Sequence, residues 1–329
     1  MSFVTAVKDK IFSVSNNNFE PLALEIFYYQ SSQNPVYKDY LHFLNINPKD
    51  LQKVDQIPFL PIELFKNHKI ITGNGNPEVI FESSGTTGTI PSRHYVTDAA
   101  IYDQSLLHGF KHFFGDPEQY TFLALLPSYL ERKTSSLTYM MQKLMNMSHN
   151  EDNGFYLYEH DILADKMERL IKQNKKIFFI GVSFALLDFA DKHHPDLSNA
   201  IIMETGGMKG RRKELIRDEL HGILKSSFNT PHIMSEYGMT ELLSQAYARH
   251  DGLFEAPPWM RLMIRDANDP FAWLPSGQTG GLNIIDLSNI NSCSFVATQD
   301  LARQTADGRF EIMGRFDNSD LRGCSLMYE

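Results

Sequence analysis

From residue 79 onward the chain repeats one pattern. A short run rich in Phe, Ile and Leu ends in turn residues and is followed by a stretch at helical spacing. Residues 121–126 run into Pro127-Ser128, 176–180 into Gly181, 200–203 into Gly206-Gly207, and 232–234 into Ser235-Glu236-Tyr237-Gly238. One helix is expected to begin at Ser135 or Ser136, and another to cover 213–224. Strands apolar on both sides, alternating with helices, belong to a parallel sheet covered on both faces. Ligands of such sheets gather at the carboxyl ends of the strands. The glycine-bearing loops fall there.

The flanks differ. Residues 19–29 and 37–44 carry apolar side chains at three- and four-residue spacing, interrupted by Pro21, Pro35 and Pro48, so residues 1–78 read as helical. Ile57-Pro58-Phe59-Leu60-Pro61 reads as an extended connection, because proline removes a backbone donor and restricts its predecessor. In the last seventy residues, 280–287 and 294–298 look like strands separated by turn signals. A β-rich part is expected there, in the form of a small barrel on the main sheet.

Charge narrows the partners. Against 31 basic residues stand 40 acidic ones, a net charge of −9 with no basic stripe, which argues against a nucleic-acid backbone as ligand. No apolar run approaches the length of a membrane span, and the first residues lack an apolar core followed by a small-residue cleavage site. Two cysteines, Cys293 and Cys324, are too few for a disulfide framework or a four-ligand zinc site. The expectation is a soluble, cytoplasmic protein.

The densest motif is Glu82-Ser83-Ser84-Gly85-Thr86-Thr87-Gly88-Thr89-Ile90-Pro91-Ser92-Arg93. Hydroxyls and unobstructed backbone N–H groups suit a polyphosphate, and Arg93 offers a charge-assisted contact. Thr89 stands where a Walker loop needs lysine. Read alone, such a segment is more often a plain surface turn. A second motif, Ser235-Glu236-Tyr237-Gly238-Met239-Thr240-Glu241, brings together a ring, a glycine, a hydroxyl and a carboxylate able to stack a base and hold magnesium. Its plainer reading is a helix N-terminus capped by Thr240. The third comprises Gln299-Asp300 and Gly314-Arg315-Phe316-Asp317, which suit a ribose diol or, more simply, a β-turn with an ion pair.

Their order and spacing resemble the adenylate-forming superfamily of acyl-CoA synthetases and peptide-synthetase adenylation domains. A closer likeness is to the LuxE-type acyl-protein synthetase of the bacterial bioluminescence fatty-acid reductase. It shows in Pro61-Ile62-Glu63-Leu64-Phe65-Lys66, in Leu130-Glu131-Arg132-Lys133-Thr134-Ser135-Ser136-Leu137, and in Leu321-Arg322-Gly323-Cys324-Ser325-Leu326. The resemblance implies the superfamily's large N-terminal α/β domain over 1–317 and ATP-dependent formation of an acyl-adenylate from a carboxylic acid, fatty by the closer likeness. Transfer to a thiol follows, the candidates being Cys324, an acyl-accepting reductase or carrier protein, and CoA. It implies a phosphate loop of Ser83, Ser84, Gly85, Thr86, Thr87 and Gly88, and an adenine enclosure of Gly206, Gly207, Met208, Tyr237 and Gly238. Thr240 would meet the α-phosphate, Glu241 Mg2+, and Asp300 and Arg315 the ribose.

Two departures stand out. Pro91-Ser92-Arg93 is displaced by one residue from the family's Pro-Lys-Gly, which leaves Arg93 out of register. Only 12 residues follow Asp317, none of them lysine, so residues 318–329 are expected to be a truncated hinge and tail in place of the mobile domain that carries the family's catalytic lysine. Lys209, Arg132, Lys133 or a partner are the candidate substitutes. Gly181-Val182-Ser183-Phe184-Ala185 also imitates a hydrolase nucleophile elbow, with Asp286 or Asp300 and His232 or His250 as nominal partners. A serine hydrolase and a non-catalytic nucleotide- or partner-binding remnant are thus the rival readings. His193-His194, and His108 with His112, lack the company of a metal site. Cys293 reads as a small buried residue.

Overall fold

The computed structural model describes residues 3–83, 90–126, 134–156, 158–208, 212–213 and 215–316. They form two compact units: one from the described parts of Val79–Gly88 and Ala99–Pro257, the other from those of Met1–Glu78, Thr89–Asp98 and Pro258–Glu329.

The first unit is built on a parallel sheet. Its strands lie in the spatial order Gly154–Phe155, Thr121–Leu125, Ile177–Val182, Ile201–Thr205 and Met234–Tyr237, with antiparallel Ala246–Ala248 at one edge. Every residue of Thr121–Leu125 and Ile177–Val182 is buried, as unbroken apolar runs require. Consecutive rings of one strand point to opposite faces. Phe178 meets Phe110 and Phe114 of the helix Ala99–Phe114, while Phe179 meets Phe189 and Phe228. Both faces are therefore covered, and burial of each ring contributes about 1.5–3 kcal/mol. The helix expected at Ser135 or Ser136 is Ser136–Ser148, with the Ser135 hydroxyl accepting from Thr138 N at 3.4 Å. The helix expected over 213–224 is Arg217–Ser227.

Two expectations shift. The strand read at 232–234 is Met234–Tyr237, so Glu236 and Tyr237 lie in the sheet rather than after it. No helix starts at Thr240. The chain turns, with Leu242 N donating to Met239 O at 3.2 Å, and returns as Ala246–Ala248.

The second unit joins the amino-terminal helices to an antiparallel sheet. Met260–Arg265, Thr279–Asp286, Phe295–Gln304 and Phe310–Arg315 pair in sequence, and Leu60–Pro61 adds in parallel to Phe295–Gln304. Pro21 does not break Phe19–Gln33, because it sits in the first turn, where the N–H has no helical acceptor. Pro35 opens Pro35–Phe43, whose cap Asn34 accepts from Tyr37 N at 3.1 Å. Phe27, Tyr37 and Phe59 close on Phe295.

The buried Gln30 amide fastens these helices to the sheet's connection. Its Nε2 donates to the Asn289 and Ile290 carbonyls at 3.0 Å, and its Oε1 accepts from Ser294 N at 2.9 Å. Gln30→Leu keeps the volume but strands these groups, and is expected to cost about 1–3 kcal/mol in denaturant unfolding. A loss under about 0.5 kcal/mol would show that water replaces the amide.

Candidate active site

Five parallel strands point their carboxyl ends one way, and two carry the residues singled out above. In the pairing of Ile201–Thr205 with Met234–Tyr237, Glu204 lies opposite Ser235 and Thr205 opposite Glu236. The chain leaves these neighbouring strands at Gly206 and at Gly238. Gly206 has φ +70°, a conformation that favours glycine, and turns the backbone into Gly207, where a Cβ would meet open space, and Met208, which is buried. Tyr237 ends its strand half-buried, with its hydroxyl donating to Met239 Sδ at 3.3 Å and its ring 6.1 Å from Phe254. Thr240 is half-buried and Glu241 buried in the turn beyond.

Ser83 follows the strand Val79–Glu82, which is fastened by Glu82 N donating to Thr134 O at 2.9 Å. Ser84, Gly85, Thr86, Thr87 and Gly88 lie outside the described residues, as do Arg132, Lys133, Lys209, Asp317 and Cys324. The structure thus brings residues 206–208 and 237–241 together at neighbouring strand ends. In the other unit, Asp300 and Arg315 are register partners, with Arg315 Nε 3.5 Å from Asp300 Oδ1. Asp300 is buried and Arg315 exposed. Arg93 begins the strand Arg93–Val96 in an exposed position of that unit.

The sheet end also carries charge that the motif reading overlooked. Thr205 Oγ1 donates to Glu236 Oε2 at 2.5 Å, and a Cβ on Gly238 would overlap Glu236 Oε1, so glycine is what lets the carboxyl lie against the backbone there. Burial pushes the Glu236 carboxyl up to about 7; the Thr205 hydrogen bond opposes this and nearby Glu204 adds to it. Tyr102 and Tyr247, both buried, are raised well above the usual phenol range by burial first and by Glu236 second. Glu204 was legible only as an acid ending an apolar run. His221, 3.3 Å from Ser235 Oγ, had no signal in the sequence, because it lies in the helix Arg217–Ser227, 14 residues before its partner.

The hydrolase reading is corrected here. Ser183 does open a helix directly after a strand, but its hydroxyl donates to Glu204 Oε2 at 3.0 Å and not to an imidazole. His232 and His250 face each other, with ring centroids 4.8 Å apart. The hydroxyl is buried and its partners are Glu204 and the Gly206 carbonyl, so the serine–histidine pair that the hydrolase reading nominated is not formed. Cys293 is fully buried, and desolvation raises its thiol to about 12, an inert side chain as expected.

Over residues 8–329 the chain matches the family model described as acyl-protein synthetase, LuxE. It belongs to that family. No curated protein matches it. Among solved structures, an open conformation of 2-hydroxyisobutyryl-CoA ligase, bound to 2-HIB-AMP and CoA, is similar with a TM-score of 0.70 at 12% identity, over 94% of this chain and 78% of that one. ATP-bound MatB from Rhodopseudomonas palustris is similar with a TM-score of 0.55 at 16% identity, over 74% and 49%. The amide bond synthetase McbA from Marinactinospora thermotolerans gives a TM-score of 0.52 at 16% identity, over 72% and 48%. The chain thus spans about half the length of MatB, at 49%. At such identities the likeness establishes the fold: this LuxE-family chain has the α/β architecture of the adenylate-forming ligases.

The raised Glu236 carboxyl makes stability depend on pH. The unfolded chain releases this proton near 4.5 and the folded chain near 7. Across that window the folded state holds more protons, so stability falls as pH rises, and the deficit is complete above about 7. Glu236→Gln keeps an acceptor for Thr205 and removes the deficit. The variant is expected to be more stable than the parent in denaturant unfolding at pH 8, by on the order of a few kcal/mol at most, and equally stable at pH 4. A difference unchanged across that range would assign the effect to packing.

Proposed function

We propose that the chain activates a carboxylic acid with ATP and passes the acyl group to a thiol. The observation that carries this reading is the LuxE family match across residues 8–329, in a chain whose described motif residues 206–208 and 237–241 adjoin at the ends of parallel strands. One carboxylate oxygen of the acid bonds to the α-phosphorus of ATP, and the bond from that phosphorus to the β-bridging oxygen breaks, releasing pyrophosphate. A thiolate then attacks the acyl carbon, AMP leaves, and a thioester forms.

In this reading Gly206, Gly207, Met208, Tyr237 and Gly238 enclose adenine, and Ser83 with Ser84, Gly85, Thr86, Thr87 and Gly88 takes the β- and γ-phosphates. Thr240 donates to the α-phosphate. Asp300 and Arg315 keep the ribose roles that the resemblance implies, and Arg93 a phosphate contact. Glu241 would hold Mg2+, which would neutralise phosphate charge. A single carboxylate suits that ion, since magnesium is held by one or two carboxylates together with phosphates and waters. The acid is proposed to be fatty, and the acceptor to be Cys324 or, beyond it, a reductase, a carrier protein or CoA. No described helix is long and apolar enough to cross a membrane; a cytoplasmic location belongs to the same proposal.

Adenylation is tested by ATP–pyrophosphate exchange with a panel of carboxylates. Exchange is expected with at least one acid of the fatty series, and Glu241→Gln is expected to lower it by on the order of 10²-fold. ATP binding without exchange for any acid would favour a nucleotide-binding remnant.

Acyl transfer is read by mass spectrometry after incubation with ATP, magnesium and the active acid. A hydroxylamine-labile adduct is expected on the Cys324 peptide, absent in Cys324→Ser while exchange persists. Transfer by Cys324→Ser at the parental rate would place the accepting thiol outside this chain.

A further inference from the structure

The hydroxyl that imitates a nucleophile belongs to a buried polar cluster that the proposed chemistry does not use. Its centre is Glu204, 6% exposed, whose two oxygens face different elements. Oε2 accepts from Ser183 Oγ at 3.0 Å, and the same hydroxyl lies 3.4 Å from the Gly206 carbonyl. Oε1 faces Arg217 Nε at 3.9 Å and His221 Nε2 at 3.6 Å. The imidazole in turn lies 3.3 Å from Ser235 Oγ, opposite Glu204 in the strand register.

Two routes lead outward. One passes through Ser183 to Gly206, where the first glycine loop begins. The other passes through Arg217, whose guanidinium stands 5.1 Å over the Phe254 ring, and Phe254 meets Tyr237 edge-on at 6.1 Å. Both loops assigned to adenine therefore rest on one carboxylate. Buried carboxylates are costly unless partnered, and a helix opening with Ser183 needs no such acid to form. A network whose members each have a partner holds its surroundings rigidly.

We propose that Glu204 is a positioning residue for the nucleotide, setting the separation of the Gly206 and Tyr237 walls through Ser183 on one side and Arg217 on the other. This rests on the adenylation reading and adds to it a residue that touches no substrate. Glu204→Gln retains an acceptor for Ser183 but not the ion pair with Arg217, and Ser183→Ala removes the other route. A wall displaced by a fraction of an ångström weakens binding of the base and leaves the reacting acid in place.

The experiment measures ATP binding by calorimetry, pyrophosphate exchange and melting temperature for the full chain and both variants. Glu204→Gln is expected to raise the Kd and KM for ATP about tenfold, through loss of the ion pair that holds Arg217. Its saturating rate and the KM for the acid should move less than about threefold on the same basis. Ser183→Ala should raise the same two constants and Ser183→Thr, which keeps the hydroxyl, should restore them. Hydrogen exchange adds a readout free of nucleotide: peptides covering 206–208 and 237–241 should both exchange faster in Glu204→Gln. Parental ATP binding with wild-type-like values in Glu204→Gln, or melting temperatures that fall while both ATP constants stay fixed, overturns the inference alone. Failure of the parental chain to bind ATP overturns the adenylation reading and this inference with it.

Discussion

The Thr205 hydroxyl reaches Glu236 across two parallel strands, and that 2.5 Å contact sits where the sheet stops being hydrocarbon and starts being polar. In a sheet covered on both faces, an acid within a strand is tolerated only if a neighbour supplies a hydrogen bond or a proton. Glu236 has both, a threonine beside it and a carboxyl that burial keeps protonated up to about 7. In the register of Ile201–Thr205 against Met234–Tyr237, Thr205 stands opposite Glu236. A one-residue slip would turn Glu236 toward the opposite face, away from Thr205. The placement of Gly206 and Gly238 depends on the same registration.

That dependence explains what could be read from the chain before its fold was known. Fully buried strands such as Ile177–Val182 announce themselves by unbroken hydrophobicity, and the helices after them by spacing and by Ser135 as a cap. Met234–Tyr237 escaped its true bounds because Ser235 and Glu236 are polar, and polar residues read as a loop unless their partners are known. The partners are 31 and 14 residues away, Thr205 for Glu236 and His221 for Ser235. No local pattern carries that distance. The plainer reading at Thr240 stayed open for a related reason: a hydroxyl near an acid is compatible with a helix cap and with a loop, and Ala246–Ala248 running back along the sheet decides for the loop.

Family membership and fold came through by a different route. Residues 206–208 and 237–241 are short and individually ordinary, and their meaning lay in order and spacing along the chain. The structure adds that two of these segments leave neighbouring strands at the same level. It also separates look-alikes. Ser183 has the strand-to-helix setting of a nucleophile, yet its hydroxyl answers to Glu204. Setting is visible in sequence, whereas the identity of the atom 3.0 Å away is not.

Gly238 carries one further consequence. A side chain there would occupy the space of Glu236 Oε1, so a larger residue at 238 forces the carboxyl off Thr205. What position 238 can hold thus depends on the side chain at 236. A lineage that shortened the acid at 236 would gain room for a methyl at 238, and one that filled 238 first would have to unseat the acid. Each order of change passes through a different intermediate, one with Thr205 missing its acceptor and one with a displaced acid.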